Sequence, residues 1–208
     1  MSDLTLYHAA PSRSSVVRWM LEELGRPYEI HLLNLTRGDS RTPEYLAVNP
    51  MGKVPALRHG DMIVTEAAAI CCYLADRFPD AGLGVPIDDP RRGAYLKWLF
   101  FAPSCLEPAL LDRMLKRDGA PARMLGWGDL DRVMGVLRDA LARGPYLLGD
   151  RFTAADIVIG GGLRWAVMAK AIPDDAPEFA AYVRRLSERP AARRAEAKDA
   201  ELAKQSAA

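Results

Sequence analysis

Apolar and polar residues follow two different periods in the first eighty positions of the chain. Residues 4–7 alternate as a half-buried strand does, and in residues 14–25 the apolar positions recur every three or four residues, as on one face of a helix. The same reasoning predicts three more strands and one more helix, at residues 28–33, 54–57, 62–66 and 66–77. The order βαβ and then ββα predicts a mixed sheet of four strands flanked by helices.

A different pattern begins after residues 81–92, a stretch rich in Gly, Pro and Asp that we interpret as a linker between domains. Beyond it the periodicity is helical, the composition is rich in Ala and Leu, and no convincing strand pattern is present. The predicted class is therefore α/β plus all-α. A thioredoxin-like domain at residues 1–80 is followed by a helical-bundle domain at residues 93–208.

The second domain carries one clear helix start and several breaks. Thr153 is predicted to cap a helix, with Asp156 returning a hydrogen bond to the amide of the cap residue. The last stretch, residues 191–208, has little apolar bulk and predicts a frayed helix or a disordered tail. Helix breaks are predicted at residues 119–121, 143–145 and 172–173.

The charge balance and the cysteine content narrow the range of functions. Lys and Arg number 28 and Asp and Glu 27, a net charge of +1, so no overall field favours nucleic acid or an anionic membrane surface. No apolar run approaches the ~20 residues of a membrane span, and the first residues lack the pattern of a signal peptide. Cys71, Cys72 and Cys105 form no Cys-x-x-Cys pair and the chain has only three histidines, so neither a disulfide framework nor a metal site is expected. We therefore expect a cytoplasmic protein that acts on small molecules, without nucleic acid, membrane or metal as a partner.

A polar segment separates the first strand from the first helix. It contains Ser12, Arg13, Ser14 and Ser15, and any of the three hydroxyls is a candidate for chemistry at the start of that helix. His8, at the end of the strand, is interpreted as a packing residue. The segment holds no cysteine, so thiol–disulfide exchange through a protein mixed disulfide is not expected.

The segment NPMGKVPAL, residues 49–57, opens a strand with a Val-Pro pair. Proline is disfavoured in a strand because it lacks an amide proton. A cis bond between Val54 and Pro55 would resolve this, and it would leave the N–H and C=O of Val54 at the sheet edge, where an extended peptide can pair with them. Further along, Thr65 is predicted to cap the second helix and Glu66 to lie in its first turn, where a carboxylate is stabilised by the helix dipole and can receive a ligand's ammonium group.

Four motifs in order and spacing closely resemble the cytosolic glutathione S-transferases: WMLEELGRPYE, NPMGKVPAL, TEAAAICCYLADRFP and LGDRFTAADI. The resemblance extends from residue 4 to about residue 190. It implies an N-terminal thioredoxin-like domain that binds glutathione, a helical domain that supplies the wall for a hydrophobic co-substrate, and a homodimer.

The resemblance also assigns the residues that hold glutathione. Val54 would pair its main chain with the cysteinyl part beside cis-Pro55, Glu66 would hold the γ-glutamyl ammonium, and Lys53 would meet the glycyl carboxylate. Most members have a serine after the glutamate, whose hydroxyl holds the γ-glutamyl carboxylate, whereas this chain has Ala67. The backbone amide remains, so we expect weaker binding by the ~1.5–3 kcal/mol that a hydrogen bond to a charged group contributes.

The group that activates the glutathione thiol is predicted to be a hydroxyl. The SRS sequence before an apolar helix resembles that of serine-type bacterial and fungal members, and the resemblance makes Ser12 the donor to the thiolate, with Arg13 adding a positive charge or pairing with an acid of a second subunit. Ser14 and Ser15 then begin the helix. An ungapped alignment with the tyrosine-type classes instead makes Tyr7 the donor, and activation without any side chain is a third alternative.

The first long helix of the second domain carries an apolar set at three- and four-residue spacing. It consists of Trp98, Phe101 and Cys105, with Pro103 expected to bend the helix. These residues form either the hydrophobic-substrate wall or part of the core. The resemblance implies an enzyme that conjugates glutathione to a hydrophobic electrophile; a glutathione-dependent peroxidase or isomerase and a non-catalytic binding or regulatory protein remain alternatives.

Overall fold

The computed structural model describes residues 3–117, 121–172 and 176–207. Those within residues 1–81 and 188–208 form one compact unit, and those within residues 82–187 form a second. The last helix of the chain was expected to belong to the helical domain at residues 93–208, but it packs against the first helix and belongs to the first unit.

A mixed sheet of four strands forms the centre of the first unit. Its elements are β1 (Leu4–His8), α1 (Ser14–Leu24), β2 (Glu29–Leu32), α2 (Pro43–Leu46), β3 (Ala56–His59), β4 (Met62–Thr65) and α3 (Ala67–Arg77). The strands lie in the order β2-β1-β3-β4. β1 pairs in parallel with β2 and antiparallel with β3, which pairs antiparallel with β4. The thioredoxin-like prediction is confirmed.

Two predicted boundaries shift when the sheet forms. Thr65 is not the cap of α3, because it pairs with Ala56 as the last residue of β4. Glu66 is the N-cap residue instead, and α3 begins at Ala67. At the other boundary β3 begins at Ala56, after Pro55.

The second unit is helical, as predicted. Among its described residues the β-structure is limited to isolated bridges, Tyr146 with Gly149 and Leu148 with Arg151. Between its first two helices, residues 102–106 form a π-helical segment that contains Pro103, where the bend was expected. Its helices are α4 (Arg92–Phe101), α5 (Glu107–Leu115), α6 (Leu130–Leu141), α7 (Ala154–Met168) and α8 (Pro177–Ser187).

The predicted break at residues 143–145 lies between α6 and α7, as expected. The other two predicted breaks include residues 119, 120 and 173, which are outside the described part of the chain. None of the helices in the described ranges is long and apolar enough to cross a membrane.

The last helix, α9 (Pro190–Ala207), lies along α1 in the first unit. Residues 191–207 were expected to be frayed or disordered, but three small side chains let the helix pack closely, and those of Ala191, Ala192 and Ala195 are buried. Ion pairs between basic residues of the C-terminal segment and carboxylates of α1 accompany this helix–helix contact. Arg189 Nε donates to Glu23 Oε1 over 2.6 Å, Arg194 Nε donates to Glu22 Oε2 over 3.0 Å, and Lys198 donates to Glu22.

Asp156 joins three parts of the second unit from a fully buried position at the start of α7. Its Oδ2 accepts the N–H of Thr153 at 2.9 Å, which confirms the predicted bond to the cap residue. Its Oδ1 accepts the N–H of Leu147 at 2.9 Å and the hydroxyl of Tyr182, on α8, also at 2.9 Å. The carboxylate therefore ties the loop before α7 and the neighbouring helix to one point.

Asp156→Ala is expected to lower the free energy of unfolding by about 3 kcal/mol or more, because four buried donors lose their acceptor and each costs roughly 1–3 kcal/mol. These donors are the N–H and the hydroxyl of Thr153, the N–H of Leu147 and the hydroxyl of Tyr182. Asp156→Asn is the matched variant. Its carbonyl oxygen can still accept from Leu147 and Tyr182, so we expect a smaller loss of roughly 1–3 kcal/mol. Urea unfolding measures both, and equal stability of the alanine variant and the native protein would contradict this role.

Glu22→Gln is expected to flatten the acid dependence of stability. Burial alone would raise the pKa of Glu22, but hydrogen bonds from Lys198, Tyr28 and Arg194 hold that pKa below its ordinary value of 4.5. A carboxyl group whose pKa is lowered by folding stabilises the folded state above its unfolded pKa, and this contribution is lost as the pH falls through the folded pKa. The free energy of unfolding is thus expected to fall below about pH 4.5, and less steeply in the variant.

Urea unfolding at a series of pH values measures this slope. At neutral pH we expect Glu22→Gln to cost about 1.5–3 kcal/mol, the contribution of a hydrogen bond to a charged group. Glu201→Gln, at an exposed position of α9, is the control and is expected to keep the native slope. Equal slopes for Glu22→Gln and the native protein would exclude this carboxylate as a source of acid sensitivity.

Candidate active site

The register of the sheet brings three loop segments to the same end of the first unit. Tyr7, near the end of β1, pairs with Ala56, the first residue of β3, and Ala56 pairs with Thr65, the last residue of β4. Residues 9–13, residues 53–55 and the start of α3 therefore leave the sheet at one edge. These segments contain all the residues predicted to hold glutathione.

Ser12 lies at the start of α1 with its side chain half buried. Its Oγ accepts the backbone N–H of Ser14 at 3.1 Å and is 2.6 Å from the Oγ of Ser14. Ser14 and Ser15 are the first two residues of the helix, as predicted. The hydroxyl of Ser12 is thus held at the positive end of an 11-residue helix, which favours a nearby anion.

Tyr7 lies on the other face of the sheet. Neighbouring residues of a strand point to opposite faces, and His8 contacts Ser14 of α1, whereas the ring of Tyr7 packs against Tyr45 on the side of α2. The hydroxyl of Tyr7 accepts a hydrogen bond from Arg58. The structure therefore does not bring Tyr7 together with Ser12.

A cavity of about 560 Å³ lies on this face of the sheet, between the strands and α2. Tyr7, His31, Tyr45 and Arg58 are among its lining residues, whereas Ser12, Val54 and Glu66 are not. The cavity is consequently separate from the edge of the sheet where the predicted glutathione residues lie.

Two side chains fix the loop before β3 through hydrogen bonds to its main chain. The Tyr45 hydroxyl and the Asn49 amide donate to the backbone oxygen of Lys53 over 2.6 and 2.7 Å. Gly52 is required in this turn, because its φ is +60° and an added Cβ would lie 2.7 Å from the backbone oxygen of Ser40. The loop thereby presents Val54 in a defined position.

The main chain of Val54 is available to a ligand. The Val54–Pro55 bond is cis, as predicted. Within the described ranges Val54 makes no backbone hydrogen bond, although only Pro55 separates it from the first residue of β3. An extended peptide can therefore pair with its N–H and C=O, in the way that an added strand pairs with the edge of a sheet.

Glu66 and Ala67 form the start of α3. Glu66 has a φ of 68°, a conformation that is costly for a residue other than glycine and that concentrates at functional sites. Its side chain is exposed. The first intrahelical bond runs from the N–H of Ile70 to the oxygen of Glu66, so the preceding amides of the first turn are open to an anion such as a carboxylate.

Two cations belong to the same segments. Arg13 follows Ser12 directly, Lys53 precedes Val54 directly, and both side chains are exposed. These two cations and the amides in the first turn of α3 are positive groups at this edge of the sheet. The carboxylate of Glu66 is a negative group at the same edge. A peptide that carries both ammonium and carboxylate groups finds a partner for each.

The predicted hydrophobic-substrate residues lie in the second unit. Trp98 is buried and its ring meets that of Phe101 edge to face, with 5.4 Å between the ring centres. Lys97 lies over the Trp98 ring at 3.6 Å. Cys105 lies in the π-helical segment and is half buried, and burial raises the pKa of its thiol. The first two residues are brought together, and the third lies about one turn beyond Phe101.

Sequence reasoning missed several residues that shape this site. Asn49 and Gly52 hold the loop before Val54, and their signal was the occurrence of turn-forming residues on both sides of Pro50 and Met51. Ser14 was interpreted as a residue of the first turn, but it is fully buried. Its signal was its position in the apolar series of α1, at the same three- and four-residue spacing as Val17, Leu21 and Leu24.

Across the described residues, no three His, Cys, Asp or Glu side chains are grouped in a way that could hold a metal ion. The cysteines of these ranges form no disulfide.

Comparison with known sequences gives two family matches that together span most of the chain. The model described as the N-terminal domain of glutathione S-transferase matches residues 2–76, and the model of the C-terminal domain matches residues 92–185. Glutathione S-transferase GstA of Escherichia coli O157:H7 is 30% identical over 176 residues, which cover 82% of this chain and 86% of that protein.

Solved structures agree with the sequence comparison. The glutathione transferase of Methylococcus capsulatus str. Bath has a TM-score of 0.80 and 30% identity, and the match covers 95% of this chain and 98% of that chain. A glutathione transferase homolog from Sulfitobacter, solved with bound glutathione, has a TM-score of 0.76 and 27% identity over 95% of this chain and 99% of that one. Both parts of the sequence, the fold and the site geometry lead to the same assignment: the chain belongs to the glutathione S-transferase family.

Proposed function

We propose that the protein conjugates glutathione to small hydrophobic electrophiles, and that Ser12 stabilises the reactive thiolate through its hydroxyl. The observation that carries this proposal is the position of Ser12 at the N-terminus of α1. Its hydroxyl lies at the edge of the sheet where the unpaired main chain of Val54 and the first turn of α3 also lie.

Glutathione is a tripeptide with one ammonium group, two carboxylates and a thiol, and the edge offers a partner to each. In the proposed complex the main chain of Val54 pairs with the cysteinyl residue and Glu66 holds the γ-glutamyl ammonium. The open amides that begin at Ala67 donate to the γ-glutamyl carboxylate, and Lys53 meets the glycyl carboxylate. These contacts place the thiol towards Ser12 and the positive end of α1.

The energy needed for ionisation is within reach of these groups. A thiol with a pKa of ~8.5 is only a few per cent ionised at neutral pH, and lowering that pKa by two units takes about 2.7 kcal/mol of selective anion stabilisation. A hydroxyl that donates to the thiolate contributes ~1.5–3 kcal/mol and a helix N-terminus about 0.3–1 kcal/mol. The thiolate then attacks the electrophilic carbon, an S–C bond forms, the leaving group departs with its electron pair, and Ser12 keeps its proton.

Ser12 is favoured over Tyr7 because of the neighbours of each hydroxyl. The Tyr7 hydroxyl is engaged by Arg58 on the face of the sheet opposite to α1, and its ring packs between His31 and Tyr45. The hydroxyl of Ser12 is half exposed and accepts a backbone N–H, and its proton is available to a ligand when the hydroxyl of Ser14 donates to it. We assign Trp98, Phe101 and Cys105 to the hydrophobic co-substrate on the family resemblance, together with the homodimer and the cytoplasmic location.

Ser12→Ala is expected to raise the pKa of bound glutathione by about one to two units, because the thiolate loses a charge-assisted hydrogen bond of ~1.5–3 kcal/mol. The thiolate absorbs in the ultraviolet, so difference absorbance of the complex as a function of pH measures this pKa. At neutral pH, kcat/KM with 1-chloro-2,4-dinitrobenzene is expected to fall about 10- to 100-fold, with glutathione still bound.

Tyr7→Phe tests the rival donor in the same assays. It removes only the hydroxyl and is expected to leave the pKa of bound glutathione unchanged. A raised thiol pKa in Tyr7→Phe, with a native value in Ser12→Ala, would reverse the assignment. Absence of both glutathione binding and conjugation in the native protein would reject the transferase function and favour a binding or regulatory role.

Ala67→Ser is expected to bind glutathione about tenfold more tightly or better, because a serine hydroxyl at the start of α3 adds a hydrogen bond of ~1.5–3 kcal/mol to the γ-glutamyl carboxylate. Ala69→Ser, at an exposed position in the same turn, is the matched control and is expected to keep the native affinity. Isothermal titration calorimetry measures both. An unchanged affinity in Ala67→Ser would mean that the γ-glutamyl carboxylate binds elsewhere.

A further inference from the structure

A buried series of polar contacts runs from Ser12 to the last helix of the first unit. Ser12 Oγ is 2.6 Å from Ser14 Oγ, and Ser14 Oγ is 2.8 Å from Nδ1 of His8. Nε2 of His8 is 3.2 Å from Oδ1 of Asp199 on α9, and the same oxygen accepts a hydrogen bond from Arg18 Nη1 at 2.7 Å. Ser14 and His8 are completely buried. The proposed thiolate donor is therefore connected to a histidine and a carboxylate that no part of the proposed mechanism uses.

The carboxylate fixes one proton of His8. A bare nitrogen lone pair facing the carboxylate of Asp199 at 3.2 Å would be repelled, so Nε2 carries a hydrogen. The contact lacks the alignment of a good hydrogen bond and is chiefly electrostatic. Nδ1 then distinguishes two states of the ring: it is an acceptor when His8 is neutral and a donor when His8 is charged.

Ser14 has a single proton to give and two lone pairs to receive, and the backbone oxygen of Ala9, 3.1 Å from its Oγ, is a third possible acceptor of that proton. The contacts of its Oγ with Ser12 and with Nδ1 of His8 are shorter, at 2.6 and 2.8 Å, and two lone pairs facing each other across either contact would be repelled, so the proton of Ser14 goes to one of these two partners. Its Oγ accepts the backbone N–H of Ala9 at 3.1 Å in either state. When His8 is charged, Nδ1–H occupies the second lone pair, and Ser14 donates its own proton to Ser12. When His8 is neutral, Ser14 donates to Nδ1 instead, and the 2.6 Å separation from Ser12 requires that Ser12 donate to Ser14. The ionisation of His8 thus reverses every hydroxyl in the series.

We propose that His8 and Asp199 are positioning residues for glutathione activation, acting through Ser14 to set the direction in which Ser12 donates its proton. With His8 charged, Ser12 accepts from the N–H and the hydroxyl of Ser14, and its proton points outwards to the thiolate. With His8 neutral, that proton points inwards and Ser12 presents a lone pair to the thiolate. This inference rests on the proposed function, because it takes Ser12 to be the donor.

Charged groups of two helices surround the His8 ring. Asp199 faces it from α9 and Arg18 approaches the same carboxylate from α1. Glu22, one turn further along α1, pairs with Arg194 and Lys198. Although burial raises the pKa of Asp199, its interactions with His8, Ser15 and Arg18 keep that pKa below the ordinary value, so this carboxylate stays ionised at neutral pH. When Nδ1 carries no proton, the attraction between Asp199 and an imidazolium is absent and the proton of Ser12 turns inwards.

The pH profile of kcat/KM for glutathione and 1-chloro-2,4-dinitrobenzene tests the relay. In the native protein we expect activity to rise as the thiol ionises and to fall at higher pH as His8 loses its proton. Asp199→Asn removes a negative charge next to the ring and is expected to move the falling limb by about one to three units to lower pH. His8→Asn supplies an amide that can bond to Ser14 but does not titrate, and its falling limb is expected to disappear. Asp80→Asn, which removes an exposed carboxylate paired with Arg26, is the control and is expected to keep the native profile.

A spectroscopic measurement tests the same coupling without turnover and in the native chain. A thiolate that is stabilised through His8 must in turn raise the pKa of His8, because the coupling between two sites is reciprocal. We expect the imidazole NMR signals of His8 to titrate at higher pH with glutathione than with S-methylglutathione, which lacks the ionisable thiol. His31 and His59 serve as internal references, since the chain has three histidines, and His8→Asn identifies the signal.

The outcomes separate the relay from the function on which it rests. If Ser12→Ala raises the pKa of bound glutathione while Asp199→Asn and His8→Asn keep the native pH profile, the relay is wrong and the proposed function stands. Equal titration of His8 with both ligands would also overturn the relay, even where a variant folds poorly. If glutathione does not bind, or if Ser12→Ala leaves the thiol pKa unchanged, the proposed function fails and the relay fails with it.

Discussion

The pairing register of the sheet is the constraint on which the whole glutathione edge depends. Tyr7, Ala56 and Thr65 form one row across β1, β3 and β4, and the segments that follow or precede this row carry Ser12, Val54 and Glu66. A slip of one residue in β3 would turn its side chains to the opposite faces. Leu6 and Leu57, which pair with each other and are completely buried, make such a slip costly. The hydrophobic core therefore fixes the register of the strands, and the register fixes the positions of the site residues.

The helix that presents Ser12 is held at several points along its length. At its start the buried Ser14 binds the main chain of Ala9 and the ring of His8. Further along, Arg18, Glu22 and Glu23 each form an ion pair with a residue at position 189 or beyond. Isolated ion pairs on a surface contribute little, but these are partly buried and share their partners. The consequence is that the orientation of α1, and with it the direction of its dipole, depends on the other end of the polypeptide.

Much of this arrangement was predictable, and the failures have a common physical cause. The sheet, the helices after β1 and β4 and the motif around Val54 could be predicted because each rests on local periodicity or on the special chemistry of proline. The N-cap at Glu66 was misplaced by one residue, since the pairing of Thr65 with Ala56 outweighs its preference as a cap. The packing of α9 and the approach of Asp199 to His8 could not be predicted, because they join residues 191 positions apart and no periodic pattern encodes such a contact. Ala191, Ala192 and Ala195 illustrate the point: small side chains are weak hydrophobic signals, yet they are buried when two helices approach closely.

The location of α9 has a consequence for the order in which the protein folds during its synthesis. The chain starts the first unit, completes the helical unit at residues 82–187 and only then returns to supply α9. On the ribosome, where segments fold in the order in which they emerge, the helical unit can finish while the sheet beside α1 still lacks its last helix. The carboxylates of Glu22 and Glu23 then remain without their partners Arg189, Arg194 and Lys198 until residues 189–198 have been made. The helix α1 is made early in synthesis, but its packing against α9 is completed only after the helical unit has been made.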